Sequence, residues 1–345
     1  MNSQPRRIGV LCGYLAVALG LLLLAGCRWP GQGGESSARN AAAARAEAVC
    51  PIDGLPTTAR AILRRPLAVM IENSPAARPQ SGLTSACVVY EAITEGGITR
   101  FLAVFLHNDP PVIGPVRSAR PHFINLAREY DAAYVHCGES YEALQILATD
   151  PTLYNLDQMK YAKPFWRDRT RHAPHNLYAS AAKLRQQESK LLWEGTVSLL
   201  PHFASTRRLE TGPPATTAEI HFPGATNYHL RLVYDAQAGG YLRYMDGKLH
   251  VDRETRKPIV AKNVLIQRVY AAPFTHSTHG TYDVEVIGSG DGLCLSNGRQ
   301  TALVWQKSDN AALTSYTDQQ QRPLPLQPGQ TWVEIVPTDG AVIVQ

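Results

Sequence analysis

Pro66-Leu67-Ala68-Val69-Met70-Ile71 is an unbroken apolar run that stops at Glu72-Asn73. A run of that length closed by polar residues is the pattern of a strand covered on both faces, since a half-buried strand alternates. Two more runs, Cys87-Val-Val-Tyr90 and Arg100-Phe-Leu-Ala-Val-Phe-Leu106, flank Gly96-Gly97. Paired glycines supply the backbone freedom of a tight reversal, so these runs predict a hairpin. Helical spacing follows, with Phe123, Leu126, Ala127 and Tyr130 on one face. Ala133-Tyr-Val-His136 reads as a fourth strand and residues 141 to 148 as a second helix, while Ser180 is placed to cap a helix through Ala182, Leu184 and Gln187. Strand, hairpin, helix, strand, helix predicts an α/β domain with a mixed sheet over residues 50–200.

Beyond a proline-rich connection at 201–217, containing Gly212-Pro213-Pro214, the pattern changes to strand after strand. Residues 228–234 alternate, Gly239-Gly240 and Asp246-Gly247 mark turns, and apolar runs recur at 262–270, 282–287, 301–306 and 332–336. The expected architecture is α+β or α/β: an N-terminal α/β domain, then a β-rich C-terminal domain at 218–345. The 44% apolar and 18% charged composition of the 345 residues suffices for such cores, and 24 prolines with 26 glycines exclude a coiled coil or helical bundle.

The first residues are of another kind. Arg6 and Arg7 precede an apolar run from Ile8 to Leu24, which ends in Leu24-Ala25-Gly26-Cys27. Small residues at the cut site followed by a thiol form a lipobox, so 1–26 read as a lipoprotein signal peptide and Cys27 as the lipidation site. Residues 27–49, rich in Gly, Ser, Ala and Gln, read as a tether. Cleavage removes two arginines and no acid, taking the net charge from +5 to +3. So small an excess excludes the electrostatic footprint of a nucleic-acid binder. The expected location is a bacterial cell membrane, lipid-anchored and facing the extracytoplasmic side.

Four cysteines remain after Cys12 and Cys27 are set aside: Cys50, Cys87, Cys137 and Cys294. An even number in an oxidising compartment allows disulfide pairing, with a connectivity the spacing does not fix, and the alternative is four buried free thiols. No pair has CxxC spacing, so no structural zinc and no other metal is assigned. His136 and Cys137, adjacent on a strand, point to opposite faces and do not make a nucleophile and its base. His250-x-Asp252 offers two metal ligands and no third. Gly288-Ser-Gly-Asp-Gly292 lacks the lysine of a phosphate loop and reads as a turn.

The first half concentrates arginine beside Gly and Pro. Arg78 follows the first strand, Arg100 opens the third run, Arg117-Ser118-Ala119-Arg120 precedes the first long helix, and Arg167 lies in the stretch ending His175-Asn176. Loops at strand ends are where α/β sheets hold ligands, and arginine grips oxyanions bidentately. Ser118 and the following amides add a helix N-terminus aimed at the same anion. The expected ligand set is Arg78, Arg100, Arg117, Ser118, Arg120, Arg167, His175 and Asn176. Glu91 and Glu95, at even spacing, are the catalytic candidates if the protein is an enzyme.

These strings resemble the YerB-like bacterial lipoproteins, a family catalogued as a domain of unknown function. The resemblance rests on Pro66-Leu-Ala-Val-Met-Ile-Glu-Asn73, Ala77-Arg-Pro-Gln-Ser-Gly-Leu83, Glu95-Gly-Gly-Ile-Thr-Arg-Phe-Leu-Ala-Val104, Gly114-Pro-Val-Arg-Ser-Ala-Arg120 and Ala173-Pro-His-Asn-Leu-Tyr178. It continues through Tyr241-x-Arg243, His250-x-Asp252, Ala261-Lys-Asn-Val264 and Pro328-Gly-Gln-Thr-Trp332. It implies a two-domain envelope lipoprotein with no established reaction. Cys87 and Cys137 stand where the family has small residues, which implies a disulfide particular to this chain, and Glu139 replaces a second glycine. The order of elements also looks like the LytR-CpsA-Psr phosphotransferases, which implies a divalent cation near Glu91 or Glu95 and a lipid-linked glycan substrate. The leading expectation is a membrane-tethered protein that binds an anionic envelope ligand through an Arg-rich cleft. The alternatives are that phosphotransferase and a non-catalytic module that docks an envelope protein.

Overall fold

The computed structural model describes residues 47–193, 209–224, 228–275 and 280–345. The signal sequence, Cys27, most of the expected tether and residues 201–208 of the expected connection lie outside the described residues. The last tether residues form strand β1 (Glu47–Val49), paired with β2 (Pro56–Thr58) and followed by a short helix α1 (Ala59–Ile62).

The first apolar run is β3 (Leu67–Glu72), buried at every residue. The hairpin forms as its glycines predict, β4 (Val88–Ile93) returning as β5 (Thr99–Phe105) through Gly96 and Gly97 at φ 63° and 70°. Then follow α2 (Pro121–Arg128), β6 (Ala133–His136), α3 (Tyr141–Thr149), β7 (Tyr154–Asp157), β8 (Phe165–Arg167), β9 (Leu177–Ala179) and α4 (Ala181–Lys190). Helix α2 packs its buried face, Phe123, Ile124, Leu126 and Ala127, on β5 and β6.

The second half is β10 (Thr217–His221), β11 (Leu230–Asp235), β12 (Gly240–Met245), β13 (Lys248–Leu249), β14 (Val260–Ala261), β15 (Asn263–Val269), β16 (Ala271–Pro273) and β17 (Tyr282–Val284). It ends with β18 (Gly288–Ser296), β19 (Arg299–Lys307), β20 (Ser315–Thr317), β21 (Thr331–Pro337) and β22 (Ala341–Val344). Strands outweigh helices throughout, so the α/β description of the first half holds only loosely, although the mixed sheet it predicted is present. Gly288 to Gly292, expected as a turn, opens β18. A Cβ at Gly292 would lie 2.0 Å from the Ile266 carbonyl, so glycine is what lets β18 lie against β15 there.

The two halves share one sheet. Its ten strands run β20-β19-β18-β15-β21-β4-β5-β3-β6-β7, with β15, β21 and β4 mutually parallel, β5 antiparallel to its neighbours β4 and β3, and β3, β6 and β7 parallel. Strands β10 to β14 and β22 form a second, antiparallel sheet. Arg243 of β12 reaches from that sheet into the large one, between Glu91 of β4 and Glu334 of β21, and all three side chains have 0% exposure. Its guanidinium lies 2.5 Å from Glu91 Oε2, bonds Glu334 Oε1 on the other side, and stacks 3.6 Å from the centre of the Trp332 ring.

Two carboxylates around one guanidinium leave an excess negative charge in the core. Burial, together with Glu91, raises the Glu334 carboxyl to about 8. A group whose folded value is raised stabilises the fold fully below its ordinary value and loses that contribution as pH climbs through the folded one. Urea unfolding is therefore expected to show stability falling between roughly pH 4.5 and pH 8, with the fall flattened in Glu334→Gln; an unchanged slope in that variant would refute the assignment. Arg243→Met is expected to remove about 3–5 kcal/mol, because it strands two buried acids.

Candidate functional site

The strands β3, β6 and β7 end at the same edge of the sheet, and the segment 115–119 shapes that edge. Pairing of β3 with β6 stops at Val69 opposite Val135. Beyond it, the Glu72 amide bonds the Pro115 carbonyl and the Arg117 amide bonds Met70. On the other side Cys137 and Ala119 exchange bonds with Arg117 and Gly138. The segment is thus a wedge that splays the two strands and brings Arg117 and Ser118 between them. Chain order reverses at β3/β6, since β3 leads to β4 and β5 on one side while β6 leads to β7 on the other. Such a crevice at the carboxyl ends of strands is where open sheets bind ligands.

Glu72 ends β3. Its Oε1 accepts from Ser74 Oγ at 2.9 Å, lies 2.8 Å from His175 Nδ1 and 3.4 Å from Arg117 Nε. The Arg117 guanidinium makes no hydrogen bond among the described residues; its Nε and Glu72 Oε2 are buried without a hydrogen-bond partner there. After β6, burial raises the half-buried Cys137 thiol, and the charges around it are Arg167, Asp157, Arg117 and Glu139. The thiol donates to Gln158 Oε1 at 3.2 Å, while the buried His136 ring lies 2.9 Å from the Gly138 carbonyl and 2.7 Å from Asn155 Oδ1. His136 and Cys137 therefore face different partners, as the strand geometry requires.

The five arginines do not converge on one opening. Arg100 and Arg120 are both committed to Glu95: Arg120 makes a bidentate pair at 3.0 and 2.6 Å, and Arg100 bonds the same carboxylate and the Ser118 carbonyl. Burial, with Arg120 next in effect, lowers Arg100 to about 10. Arg78 turns the other way, to Asp246 at 2.6 Å and the Asn73 carbonyl at 2.9 Å, on a cavity of about 430 Å³ also lined by Lys248 and His250. Arg167 holds Asn176 Oδ1 at 2.9 Å, and Asn176 in turn ties down the carbonyls of Asp168 and Arg171. Of the five, Arg117 is left without a hydrogen-bonded partner among the described residues, and it and Arg167 both act electrostatically on the Cys137 thiol.

Several expectations change. The helix N-terminus is no anion site, because α2 begins at Pro121, which lacks an N–H, and its first turn is buried. Glu91 is enclosed by Arg243, Thr99 and Asn73, and Glu95 is consumed by two arginines, so neither presents a carboxylate to a metal ion or substrate. Cys50, Cys87, Cys137 and Cys294 are free thiols. Cys87 precedes β4 at the amino edge and Cys137 follows β6 at the carboxyl edge, about 20 Å apart on strand spacings, so those two cannot pair. His250 is packed between Phe101 and Trp332 and bonded to Gln80, and Asp252 caps the turn at Glu254 and Thr255. The reading of the sequence missed Glu72, Ser74, Glu139 and Asp157. Two of these carry a visible signal: Glu72 and Asp157 each close a short strand, the position that faces a carboxyl-edge crevice.

Residues 53–194 match the family described as Protein of unknown function (DUF3048) N-terminal domain, and residues 218–333 its C-terminal domain. A Bacillus subtilis protein named "Putative lipoprotein YerB" is 36% identical over 293 residues, 83% of this chain and 86% of that one. The chain belongs to the YerB-like family. The crystal structure of Bacillus subtilis YerB superposes with a TM-score of 0.76 at 30% identity, covering 86% of this chain and 99% of that one. Among the described residues no helix is long and apolar enough to cross a membrane. The matched N-terminal span contains Glu72, Arg117, Arg167 and His175, so the carboxyl-edge site lies within the part of the chain that the YerB-like family defines.

Against the cost of burial, Arg100 and Arg120 hold Glu95 down at about 2. A depressed carboxyl stabilises the fold above its ordinary value and loses that contribution as pH falls through the folded one. Glu95→Gln is expected to destabilise the fold by on the order of 2 kcal/mol near neutrality and to flatten the acid limb of a stability profile. Equal acid sensitivity in the variant would show that Glu95 does not drive it.

Proposed function

We propose that the carboxyl edge at β3/β6 binds an anionic ligand of the cell envelope, with Arg117 as the primary contact and Arg167 and His175 beside it. The observation that carries this reading is Arg117: its guanidinium sits at the strand-order reversal with no hydrogen bond among the described residues, while the neighbouring arginines are committed. A planar cation left without hydrogen bonds is suited to a phosphate or carboxylate. Glu72 and Ser74 position His175 through Nδ1, which leaves Nε2 for the ligand. Ser118 and Asn176 hold the wedge and the 168–176 loop, and Arg100 and Arg120 act indirectly by fixing the Glu95 turn. Arg78 and the cavity it lines belong to the contact with the second sheet. The lipobox ending at Cys27 and the lipoprotein name of the relative support membrane anchoring with the folded body on the extracytoplasmic side.

A second reading, metal-dependent transfer on a lipid-linked pyrophosphate, is favoured by Glu139 and Asp157. These carboxylates lie 3.8 and 4.0 Å from His136 Nδ1, act with Arg117 and Arg167 on the Cys137 thiol, and take the place that Glu91 and Glu95 held in the expectation from sequence.

Thermal unfolding of the full-length protein in detergent tests both readings. Polyprenyl phosphate or inorganic pyrophosphate at about 100 times Kd is expected to raise Tm by about 5 °C or more, with Arg117→Ala losing the shift while its own Tm stays close to the wild type. No response to either anion overturns the site. Release of polyprenyl phosphate from a lipid-linked pyrophosphate that requires Mg2+ and disappears in Asp157→Asn would move the conclusion to the transfer reading.

A further inference from the structure

At the opposite edge of the sheet, where β4 begins and β5 ends, four side chains meet that the carboxyl-edge site does not use. Cys50 and Asp53 come from the turn between β1 and β2. Cys87 lies just before β4 and His107 just after β5. One donor atom from each, two Sγ, a ring nitrogen and a carboxylate oxygen, lies within 4.8 Å of every other. Cys50 and Cys87 are fully buried, Asp53 is 2% exposed and the His107 side chain 8%.

We propose that Cys50, Asp53, Cys87 and His107 form a closed tetrahedral site for a Zn2+ ion. Zinc bonds of about 2.0–2.3 Å to oxygen, nitrogen and sulfur imply donor separations of about 3.3–3.8 Å, so the donors need to move only by ångström-scale side-chain adjustments. Two sulfurs, an imidazole and a carboxylate are the borderline-soft set that zinc takes, and four protein donors without an open position mark a structural site. The local backbone fits the role. Cys50-Pro-Ile-Asp53 has the two-residue spacing of one arm of a structural zinc site, and the Gly54 amide closes the turn onto the Cys50 carbonyl at 2.9 Å with Gly54 at φ 71°. Backbone amides already face the donors: Leu55 N–H donates to Asp53 Oδ1 at 3.1 Å and Leu106 N–H to the Cys87 sulfur. Such bonds orient ligands and disperse the charge of thiolates on a metal.

On binding, each thiol releases its proton to solvent as its sulfur bonds the metal, and Asp53 and His107 exchange their 2.8 Å contact for bonds to the same ion. A disulfide between Cys50 and Cys87 would use the two sulfurs alone and give the buried acid and imidazole no part. The ion would fasten the Cys50–Gly54 turn to the sheet where the chain enters the folded body.

The full-length protein, purified in detergent without chelator or reductant, tests this by elemental analysis, cysteine mapping and Co2+ substitution. One zinc per chain is expected, with Cys50 and Cys87 alkylated only after unfolding in chelator. Co2+ exchange should give the visible absorption of a tetrahedral thiolate site. Cys87→Ser and His107→Gln should lose the metal and the Co2+ spectrum, and Cys294→Ser should keep both. A Cys50–Cys87 cross-linked peptide overturns the proposal, as does a metal-free chain with both thiols free that takes up no Co2+. These wild-type readouts stand even if a variant fails to fold.

Discussion

One guanidinium governs how the two halves of this chain meet. Arg243 leaves the second sheet to lie between Glu91 and Glu334, which belong to adjacent parallel strands whose sequence positions differ by more than two hundred residues. Removing one member of so deeply buried a cluster strands the others, so the contact fixes relations as much as it supplies energy. A one-residue slip of β21 against β4 would turn Glu334 to the other face and leave Arg243 short of a carboxylate. A second buried pair, Lys307 of β19 with Glu129 beyond α2 at 3.2 Å, ties the halves at another point. Two family segments are therefore recognisable along the chain although no strand boundary in the large sheet separates them.

The same accounting of charge explains the candidate site. The carboxyl edge gathers Arg100, Arg117 and Arg120 against Glu72 and Glu95. Glu95, at the tip of the hairpin, takes two of the three arginines and closes the hairpin onto the wedge. Glu72 is shared among Ser74, His175 and Arg117, and its contact with Arg117 at 3.4 Å lacks hydrogen-bond geometry. The arginine count in the sequence therefore overstated the cationic surface, and what remains is one guanidinium held at the place where the strand order reverses. A fold that consumes most of its arginines internally can still leave one guanidinium with hydrogen-bonding capacity to spare, the property an oxyanion ligand requires.

Local elements were legible in the sequence because their signals are local. The apolar run at 66–71, the hairpin glycines and the 3.6-residue spacing at 123–130 each correspond to an element within a residue or two. Some of the long-range structure also left a trace. Glu91, Arg243 and Glu334 each stand inside an otherwise apolar strand, and a lone charge there requires a buried partner. Which charge pairs with which is a property of the sheet order, and no spacing encodes the insertion of β21 between β15 and β4. The same limit hid the amino-edge cluster. A search for paired cysteines passes over Cys50-x-x-Asp53, and Cys87 and His107 become its neighbours only because β4 and β5 are antiparallel.

The distribution of charge across the large sheet follows from that topology. At the amino edge the donors of Cys50, Asp53, Cys87 and His107 face one another and are closed off from water, an arrangement suited to holding a turn in place. At the carboxyl edge, about 20 Å away along six-residue strands, the wedge keeps β3 and β6 apart and leaves Arg117 and His175 partly exposed. Strands that pair to their ends leave no crevice, so the residues of the wedge are what keep β3 and β6 from pairing to theirs. The sheet buries its polar cluster at one edge and keeps its strands apart at the other, and the buried Arg243 cluster between them ties the intervening strands to one register.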